Sequence, residues 1–502
     1  MSKETETLWA LSRQATFNLL EAKFWNIAQN PFSRLPPKIV QDLEVFVRSR
    51  RGFSEEKESF DVLNLLFQSG HIEKFDVFHW NSRQIQKRLP NILTKTFCRN
   101  LISLSLPKHF YAICPVESIL STCSKLVEVH LPVFVDLDVF ENCPELEILR
   151  FHATDDEFSN YFLKNTGEIP FTIRKLRVLT VCNTQSHFAV TKDIIAKLLL
   201  NCPKLESVGC CNSLDAFQYI RETQDDLPNP LHLQRCYWGL KYSDFIPASD
   251  TPNLESYQTR FSRMVKTASL MCSSLQELVI DVYDNNCVQH LVRLKNLTVL
   301  SINYEDPYDE MYQPAFVSLL REIGSQLKHL SVSAQNPVPL DIICKRCCNL
   351  ESLRILGEVT ISNHKKKWKK LPDLRSFCVS KIQGEYLHLL FQRCPNIKEL
   401  FIGSVLDFND DFLEILSEDG SLPKLEIVSV ETCSLSKDGF MRFMKSVPTL
   451  QKVSFDRSME WCGEELMDEI KTWVEALGKT IEVDKRLYKK EYFRVKIHPC
   501  VF

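Results

Sequence analysis

An apolar phrase of the form L-x-x-L-x-L recurs along most of the chain, from about residue 98 onward. Each phrase predicts a short strand, because apolar and polar residues alternate in its second half. Segments between the phrases, such as KDIIAKLLLNCP and EYLHLLFQRCP, repeat apolar residues every three or four positions and predict helices with one buried face. The phrase is found thirteen times, as CRNLISLSL, CSKLVEVHL, CPELEILRF, TIRKLRVLTV, CPKLESVGC, CSSLQELVI, LKNLTVLSI, SQLKHLSV, CCNLESLRI, LPDLRSFCV, CPNIKELFI, LPKLEIVSV and VPTLQKVSF.

Cysteines fix the register of these phrases. If the nineteen cysteines were scattered at random, about 0.5 cysteines on average would fall at any one chosen position of the thirteen repeats. Seven are found at a single such position, three residues before the first apolar residue of a phrase. Successive phrases mostly follow one another at about 20 to 30 residues, the period of leucine-rich repeats. The sequence therefore predicts an α/β leucine-rich-repeat solenoid, with parallel strands on its concave face and helices on its convex face. Seven cysteines lie three residues before the first apolar position of a phrase, namely Cys98, Cys123, Cys143, Cys202, Cys272, Cys347 and Cys394.

The spacing of the repeats also suggests how the chain is divided. The interval from Leu205 to Leu275 is 70 residues, too long for one repeat. LQRCYWGL at 233–240 fits a degenerate repeat there, with an insertion near 241–262. The segment GEELMDEIKTWVEALGKTIEV predicts a final amphipathic helix that closes the stack. We therefore divide the chain into a helical adaptor at 1–50, a helical linker and N-terminal cap at 51–97, the solenoid at 98–460, and a C-terminal cap and tail at 461–502.

Composition narrows the classes of partner and compartment. The net charge is −3, with 61 basic and 64 acidic residues, so no global field recruits nucleic acid or an anionic membrane. The N-terminus MSKETET does not resemble a secretory signal, and no run of about twenty apolar residues predicts a membrane span. Many cysteines in so large a chain indicate reduced thiols of the cytosol or nucleus. We expect a cytoplasmic protein, with the basic run HKKKWKK at 364–370 leaving nuclear import as an alternative.

Motifs for catalysis and for metal binding are missing from the sequence. It contains no G-x-S-x-G elbow, no G-x-x-x-x-G-K-[ST] phosphate loop and no H-E-x-x-H motif. Cys344-x-x-Cys347 has no second pair at zinc spacing, and the repeat register already explains Cys347. We therefore expect a non-enzyme without a metal or cofactor.

The cysteine-bearing phrase resembles the leucine-rich repeats of F-box leucine-rich-repeat proteins and related receptors of ubiquitin ligases, over about residues 98–456. The residues before the solenoid carry a second resemblance. Thr7, Leu8 and Ser12 resemble the elongin-binding BC box of VHL-box and SOCS-box proteins. Leu8 and Ser12 share one helical face, so Leu8 can enter an apolar pocket while the small Ser12 permits close approach. The segment departs from the pattern at Ser12, where the family usually has Cys, and at Thr16, where it has an aliphatic residue.

About 23 residues later, LPPKIVQDL resembles the cullin box that follows the BC box in the same families. The residues that carry this resemblance are Leu35, Pro36, Ile39 and Leu43. The two resemblances imply a substrate receptor of a cullin-RING ubiquitin ligase that binds elongin B/C and cullin-2, or cullin-5. Leu-Pro also opens the F-box, which would imply Skp1 and cullin-1 instead. A plain leucine-rich-repeat scaffold, with residues 1–50 as a cap, is the third interpretation.

The concave face is the predicted site for a protein substrate. Residues flanking the last apolar position of each strand point to this face. The surface they form is polar and mixed in sign, which suits a protein segment better than a nucleic acid or a membrane. Its predicted contact residues are Arg150, His152, Asp281, Asn303, Arg354, Glu431 and Asp456, together with Ser331, Ser333 and Ser380.

Overall fold

The computed structural model describes residues 12, 15–16, 30–49, 57–77, 83–93, 96–107, 116–153, 160–161, 169, 173–183, 192–210, 212–224, 231–239, 254–304, 312–361, 370–418, 423–455, 472–474 and 481–484. The chain divides into two compact units, residues 1–210 and 211–501. Both units are built from parallel strands alternating with helices, as the sequence predicts.

The first unit begins with helices and continues as a parallel sheet. Strands β1 to β6 each pair in parallel with the next. Short 3-10 helices occupy Pro31–Arg34, Thr96–Asn100, Leu137–Asn142 and Ile173–Lys175. The longer elements are α1 Pro37–Ser49, α2 Lys57–Gln68, β1 Lys74–Asp76, α3 Arg83–Leu93, β2 Ser103–Ser105, α4 Val116–Leu120, β3 Glu128–Leu131, β4 Ile148–Ala153, β5 Val178–Asn183, α5 Lys192–Asn201 and β6 Ser207–Cys210.

The second unit repeats the same architecture. Its strands β7 to β10 pair in parallel in chain order, and β12 to β17 continue from β10. The short β11 pairs with the far end of β12. The elements are α6 Ser213–Thr223, β7 Arg235–Trp238, α7 Leu254–Met271, β8 Glu277–Val282, β9 Val299–Tyr304, α8 Tyr312–Ile323, β10 His329–Ser333, β11 Val338–Pro339, α9 Leu340–Arg346, β12 Ser352–Thr360, β13 Ser376–Lys381, α10 Gly384–Arg393, β14 Glu399–Asn409, α11 Asp410–Glu418, β15 Ile427–Ser434, α12 Lys437–Ser446, β16 Lys452–Phe455 and β17 Glu482–Asp484.

Alternation along the strands gives each sheet a buried side and a polar side. In β4, Leu149 and Phe151 are buried in the core, while Arg150 between them lies on the opposite side. Leu353 and Ile355 flank Arg354 on β12 in the same way. In each unit we call this polar side, which carries Arg150 in unit 1 and Arg354 in unit 2, the sheet face of that unit. The fold is an α/β leucine-rich-repeat solenoid.

The cysteine register has a structural cause. The cysteine carbonyl accepts a hydrogen bond from the backbone N–H of the first apolar residue of the phrase, for example Leu205 N to Cys202 O at 3.0 Å. The same turn is present at Cys98, Cys123, Cys143, Cys272 and Cys394. Cys143 Sγ and Cys202 Sγ each donate to a carbonyl of the preceding repeat, both at 3.5 Å. Cysteine is thus small enough for the turn and also gives a weak link between repeats.

Residues 30–49 form part of the N-terminal cap of the first unit. Asn30 Nδ2 donates to the Leu65 carbonyl on α2 at 2.7 Å. Gln41 on α1 lies against the edge of β1. Its Nε2 donates to Lys74 O at 2.8 Å, and its Oε1 accepts from Glu73 N at 3.1 Å and Lys74 N at 3.0 Å. The side-chain amide therefore bonds the edge strand as a neighbouring backbone amide would.

The structure bears on three expectations about the organisation of the chain: it agrees with the first and changes the other two. LQRCYWGL contains strand β7, which pairs with β8, so it is a repeat. The insertion expected near 241–262 does not extend to residue 262, because residues 254–262 belong to α7 and Phe261 is buried. The expected final helix does not include its last residues, because Glu482 and Val483 lie in β17, paired with β16. Of that segment the structure also describes residues 472–474, which are helical.

Candidate protein-binding surfaces

Unit 1 carries a compact polar cluster on its sheet face. Arg150 forms an ion pair with Glu128 on the neighbouring β3. His130 lies in register with Arg150 and is bonded through Nδ1 to Ser105 Oγ at 3.3 Å. The rings of His130 and His152 are nearly parallel, with centroids 6.3 Å apart. Two residues of the predicted surface, Arg150 and His152, are therefore close neighbours in this cluster.

Exposure differs among the members of this cluster. Arg150 keeps part of its side chain in solvent, whereas His130 and His152 are 8% and 6% exposed. His130 was missed by the sequence analysis, although it flanks the apolar Leu131 of CSKLVEVHL in the same way as Arg150 flanks Phe151. The flanking rule applied to every phrase would have found it.

Asp281 in unit 2 is held by its neighbours on the sheet face. Tyr237 Oη on β7 donates a hydrogen bond to Asp281 Oδ2. Asn303 Nδ2 on β9 donates to Asp281 Oδ1 at 2.7 Å. Asp281 is only 5% exposed, so its carboxylate organises the face more than it presents a charge to solvent. The sequence identified Asp281 and Asn303 but missed Tyr237, which lies in the degenerate repeat.

The hydrogen bond from Tyr237 to Asp281 depends on Gly239. A Cβ at residue 239 would lie 2.1 Å from Tyr237 Oη and 2.7 Å from Asp281 Oδ2. Glycine therefore leaves the space in which the phenol reaches the carboxylate.

Arg354 lies in the middle of the sheet face formed by β10, β12 and β13. It is half-buried and in register with Ser331 on β10 and Cys378 on β13. Burial lowers the pKa of the Arg354 guanidinium from its ordinary value, because desolvation penalises the charged form.

A bulge in β12 follows Arg354. The pairing of β12 with β13 shifts between Ile355 and Glu358. Gly357 has a φ of 150° there, and its N–H donates to Ser380 Oγ at 2.7 Å. Ser380 therefore takes part in the geometry of the strand end, in addition to lying on the face.

Other members of the predicted surface are described only in part. Ser331 is buried and Ser333 is half-buried, both on β10. Glu431 belongs to β15, but its side chain lies outside the described residues, and so does Asp456.

The predicted elongin-binding residues fall mostly outside the described part of the chain. Thr7 and Leu8 are outside it. Ser12 is helical and exposed, and its carbonyl accepts a hydrogen bond from Thr16 Oγ1 at 2.8 Å. The helical state of Ser12 and Thr16 agrees with the helix on which the BC-box resemblance depends.

The predicted cullin-binding residues lie around the start of α1. Pro36 is exposed, and Leu35 and Ile39 are half-buried. Leu43 is 3% exposed, because it shares the inner stripe of α1 with Val40 and Val47, which is packed in the cap. Within this fold Pro36 and Ile39 offer surface to a partner, and Leu43 does not.

The described residues contain no group of three or more His, Cys, Asp or Glu side chains placed to hold a metal ion. None of their helices is long and apolar enough to cross a membrane.

No protein-family model matches the sequence, and no curated protein matches it. Among solved structures, the chain is similar to a chain in the crystal structure of the Rad7 and Elc1 complex of yeast. The TM-score is 0.43 and the identity 15%, and the match covers 90% of this chain and 98% of the yeast chain. It is also similar to a leucine-rich-repeat protein of Leptospira interrogans, with a TM-score of 0.31 and 13% identity over 78% of this chain and 91% of that chain.

Proposed function

We propose that this chain is the non-catalytic substrate-recognition subunit of a cullin-RING ubiquitin ligase. The observation that carries the proposal is the order of the motifs: a BC-box-like Thr7-Leu8-x-x-x-Ser12, then a cullin-box-like Leu35-Pro36-x-x-Ile39, then a repeat sheet with a polar face. The N-terminal helix would bind elongin C, and the sheet face would hold a substrate protein. The mechanism is proximity, because the receptor brings a substrate lysine close to the ubiquitin-charged enzyme.

Exposure at the two motifs supports a division of roles. Ser12 is exposed on a helix, as a small residue that permits close helix approach must be. Pro36 and Ile39 have surface available for cullin-2 or cullin-5, whereas Leu43 acts inside the cap. We expect this complex in the cytoplasm, with nuclear import through 364–370 as the alternative.

A second candidate function is a leucine-rich-repeat scaffold without a ligase. It is favoured by one observation, the hydrogen bonds between the Gln41 side-chain amide and the backbone of Glu73 and Lys74, which make α1 a cap of the sheet edge. On this hypothesis residues 30–49 stabilise the solenoid and bind neither elongin nor Skp1.

Co-purification of the full chain with elongin B/C and, separately, with Skp1 separates these functions. We expect elongin B/C to bind, Leu8→Ala to abolish binding, and Ser12→Cys to keep or strengthen it. Ser12→Arg should block close approach of the helix, and the exposed Lys38→Ala should change nothing. Skp1 binding that is lost in Pro36→Ala would instead assign the chain to the F-box class with cullin-1. If the folded chain binds neither protein, the leucine-rich-repeat scaffold is the remaining candidate function.

A further inference from the structure

Helix α7 of unit 2 presents a narrow ridge of side chains to solvent. Residues three or four positions apart share one face of a helix, and Arg263, Lys266 and Leu270 follow this spacing in α7. All three are exposed. Leu270 is 50% exposed and is one of three large apolar side chains that are open to solvent in the described part of the chain. We call Arg263, Lys266 and Leu270 the α7 ridge.

Neighbouring helices cover both flanks of α7 and leave the ridge open. On one flank, Thr267 Oγ1 donates a hydrogen bond to Gln218 Oε1 on α6 at 3.0 Å. On the other flank, Ser262 Oγ lies 3.4 Å from Nε2 of His290, which belongs to the 3-10 helix Asn285–Arg293. The ridge lies between these two contacts around the helix, so the packing of unit 2 holds it in place without covering it.

His290 shows that the electric field beside the ridge is positive. Burial lowers the pKa of His290 from its ordinary value, and the nearby cations Arg293 and Lys266 lower it further. The carboxylate of Asp284 acts in the opposite direction without reversing the shift. Charges shift a pKa most strongly within about 4 to 6 Å, so Arg293 lies near His290 and extends the positive surface of the α7 ridge.

Charge pairing leaves this surface with an excess of cations. Among the described residues, Arg263, Lys266 and Arg293 form no ion pair, whereas Arg260 on the same helix pairs with Asp215 of α6 at 2.7 Å. The described side chains of α6, α7, α8 and the 3-10 helix with its N-cap include six Lys or Arg and four carboxylates. The carboxylates are Asp215, Glu222, Asp284 and Glu322.

The other carboxylates near the ridge are balanced or engaged elsewhere. Glu222 and Glu322 each follow an arginine directly in the chain. Asp284 caps the 3-10 helix, because its Oδ1 accepts a hydrogen bond from Asn286 N at 3.0 Å, and it is 7% exposed. The excess positive charge therefore lies at the α7 ridge and Arg293.

We propose that the α7 ridge and Arg293 bind an acidic amphipathic helix of a partner protein. An aliphatic side chain of that helix packs on Leu270, and its Asp or Glu side chains pair with the surrounding cations. This inference goes beyond the proposed function, because α7 belongs neither to the N-terminal motifs nor to the sheet face. It gives unit 2 a second binding surface.

The spacing along α7 defines the pattern that the partner helix should carry. With a rise of about 1.5 Å per residue, Lys266 lies about 6 Å and Arg263 about 10 Å from Leu270 along the helix axis. A partner helix that runs alongside has the same rise, so its carboxylates match these cations when they lie four and seven positions from the aliphatic residue.

The mixture of charge and apolar surface favours a protein over a nucleic acid or a membrane. Anionic membranes attract clusters of about four to eight Lys or Arg, and DNA-binding surfaces commonly contact about six to ten phosphates. Three cations are too few for either. A phosphate backbone would also leave Leu270 uncovered, whereas an apolar contact with a charged rim is the usual arrangement of a protein interface.

Selection from a library of helical peptides tests the proposal. The full chain is immobilised, and a phage-displayed library of alanine-rich helices, randomised along one face, is selected on it. The best peptides are synthesised with their Asp or Glu and with the matching Asn or Gln. Binding is measured by fluorescence anisotropy to the wild type, Lys266→Glu and Leu270→Asp. The matched controls are Lys345→Glu, an exposed lysine of α9, and Ile415→Asp, which is 46% exposed on α11.

We expect the selected peptides to combine an aliphatic residue with Asp or Glu four and seven positions away. Lys266→Glu should weaken binding by about tenfold, because an attraction becomes a repulsion, and Leu270→Asp by about tenfold or more, because the apolar contact is lost. Both controls should bind like the wild type. A peptide with Lys in place of the facing Glu should bind Lys266→Glu more tightly than it binds the wild type.

These variants separate binding from folding. The substituted side chains are exposed, and circular dichroism of each variant checks that the fold is kept. Exchange of Glu for Gln in the peptide uses wild-type protein, and it should weaken binding whether or not a variant folds. Added salt should also weaken binding, because these charges are exposed to solvent.

Several outcomes would overturn the proposal. These are no enriched peptide, enriched peptides without an acidic residue, or binding that is equal in the wild type, Lys266→Glu and Leu270→Asp. Tighter binding of a single-stranded oligonucleotide or of phosphatidylserine vesicles than of the best peptide would assign the surface to phosphate groups instead. Elongin co-purification does not involve α7, so failure here and failure of the ligase proposal are separate results.

Discussion

Gln41 provides a direct test of whether α1 is a structural cap. Its amide oxygen accepts from two backbone N–H groups of the β1 edge, at Glu73 and Lys74. Its amide nitrogen donates to Lys74 O at 2.8 Å and to Glu44 Oε2 at 3.0 Å. Gln41→Ala removes all four hydrogen bonds while it keeps the helix, because alanine has the highest helix propensity.

The magnitude follows from the exposure of these bonds. The three bonds to the strand edge are exposed, so water replaces them in part and each contributes about 0.5 kcal/mol. The bond to Glu44 reaches a carboxylate that is 0% exposed and contributes about 1 kcal/mol. We therefore expect Gln41→Ala to lower the free energy of unfolding of the cap by about 2.5 kcal/mol.

Hydrogen exchange followed by mass spectrometry measures this locally. Peptides that contain Glu73 and Lys74 should exchange faster in Gln41→Ala, by up to about 60-fold if the whole free-energy loss is local. Lys38→Ala, an exposed change on the same helix, is the matched control and should exchange like the wild type. Unchanged exchange at Glu73 and Lys74 in Gln41→Ala would refute the cap, and α1 would then be free to act as an independent adaptor.

The remaining predictions concern packing, backbone strain and thiol ionisation. Leu43→Ala should lower the unfolding free energy in urea by about 3 kcal/mol, whereas the exposed Pro36→Ala should change it by less than about 0.5 kcal/mol; equal effects would contradict the burial of Leu43. Gly357→Ala should cost about 2 kcal/mol or more, since Gly357 has a φ of 150° and a Cβ there would lie 2.3 Å from Ala334 O; a neutral result would rule out the bulge geometry. Burial raises the pKa of Cys202 from 9.0 to about 12, so the folded protein keeps this proton when the unfolded chain releases it. The contribution of the protonated thiol to the unfolding free energy is complete below about pH 9 and is lost as the pH rises toward 12. The difference in unfolding free energy between wild type and Cys202→Ala should therefore shrink by about 1 kcal/mol from pH 8 to pH 10. A constant difference would contradict the burial of this thiol. Iodoacetamide at pH 8 should likewise modify the half-buried Cys348 before Cys202.

The repeat architecture could be predicted because its determinants are local. The L-x-x-L-x-L spacing sets which residues of each strand are buried, and the cysteine three residues earlier marks a turn closed by a single backbone hydrogen bond. Both features lie within one phrase, so a single sequence contains them. The same locality explains why the flanking rule placed Arg150, Asp281 and Arg354 on the polar side of their own strands.

Contacts between distant residues were decided only by the tertiary structure. The insertion near 241–262 was overestimated because α7 begins within it, at Leu254, and only packing of its apolar face distinguishes a repeat helix from an insertion. Leu43 was expected at an interface, and it is buried in the cap because α1 lies against α2.

The sequence by itself determined the repeat, its register and the identity of the polar face, because each depends on residues a few positions apart. The tertiary structure decided which face residues are accessible. Asp281 is enclosed by Tyr237 and Asn303, from strands 44 and 22 residues away in the chain. Arg354 lies in register between Ser331 and Cys378. Burial and charge pairing depend on which strands become neighbours, and that is a property of the folded chain.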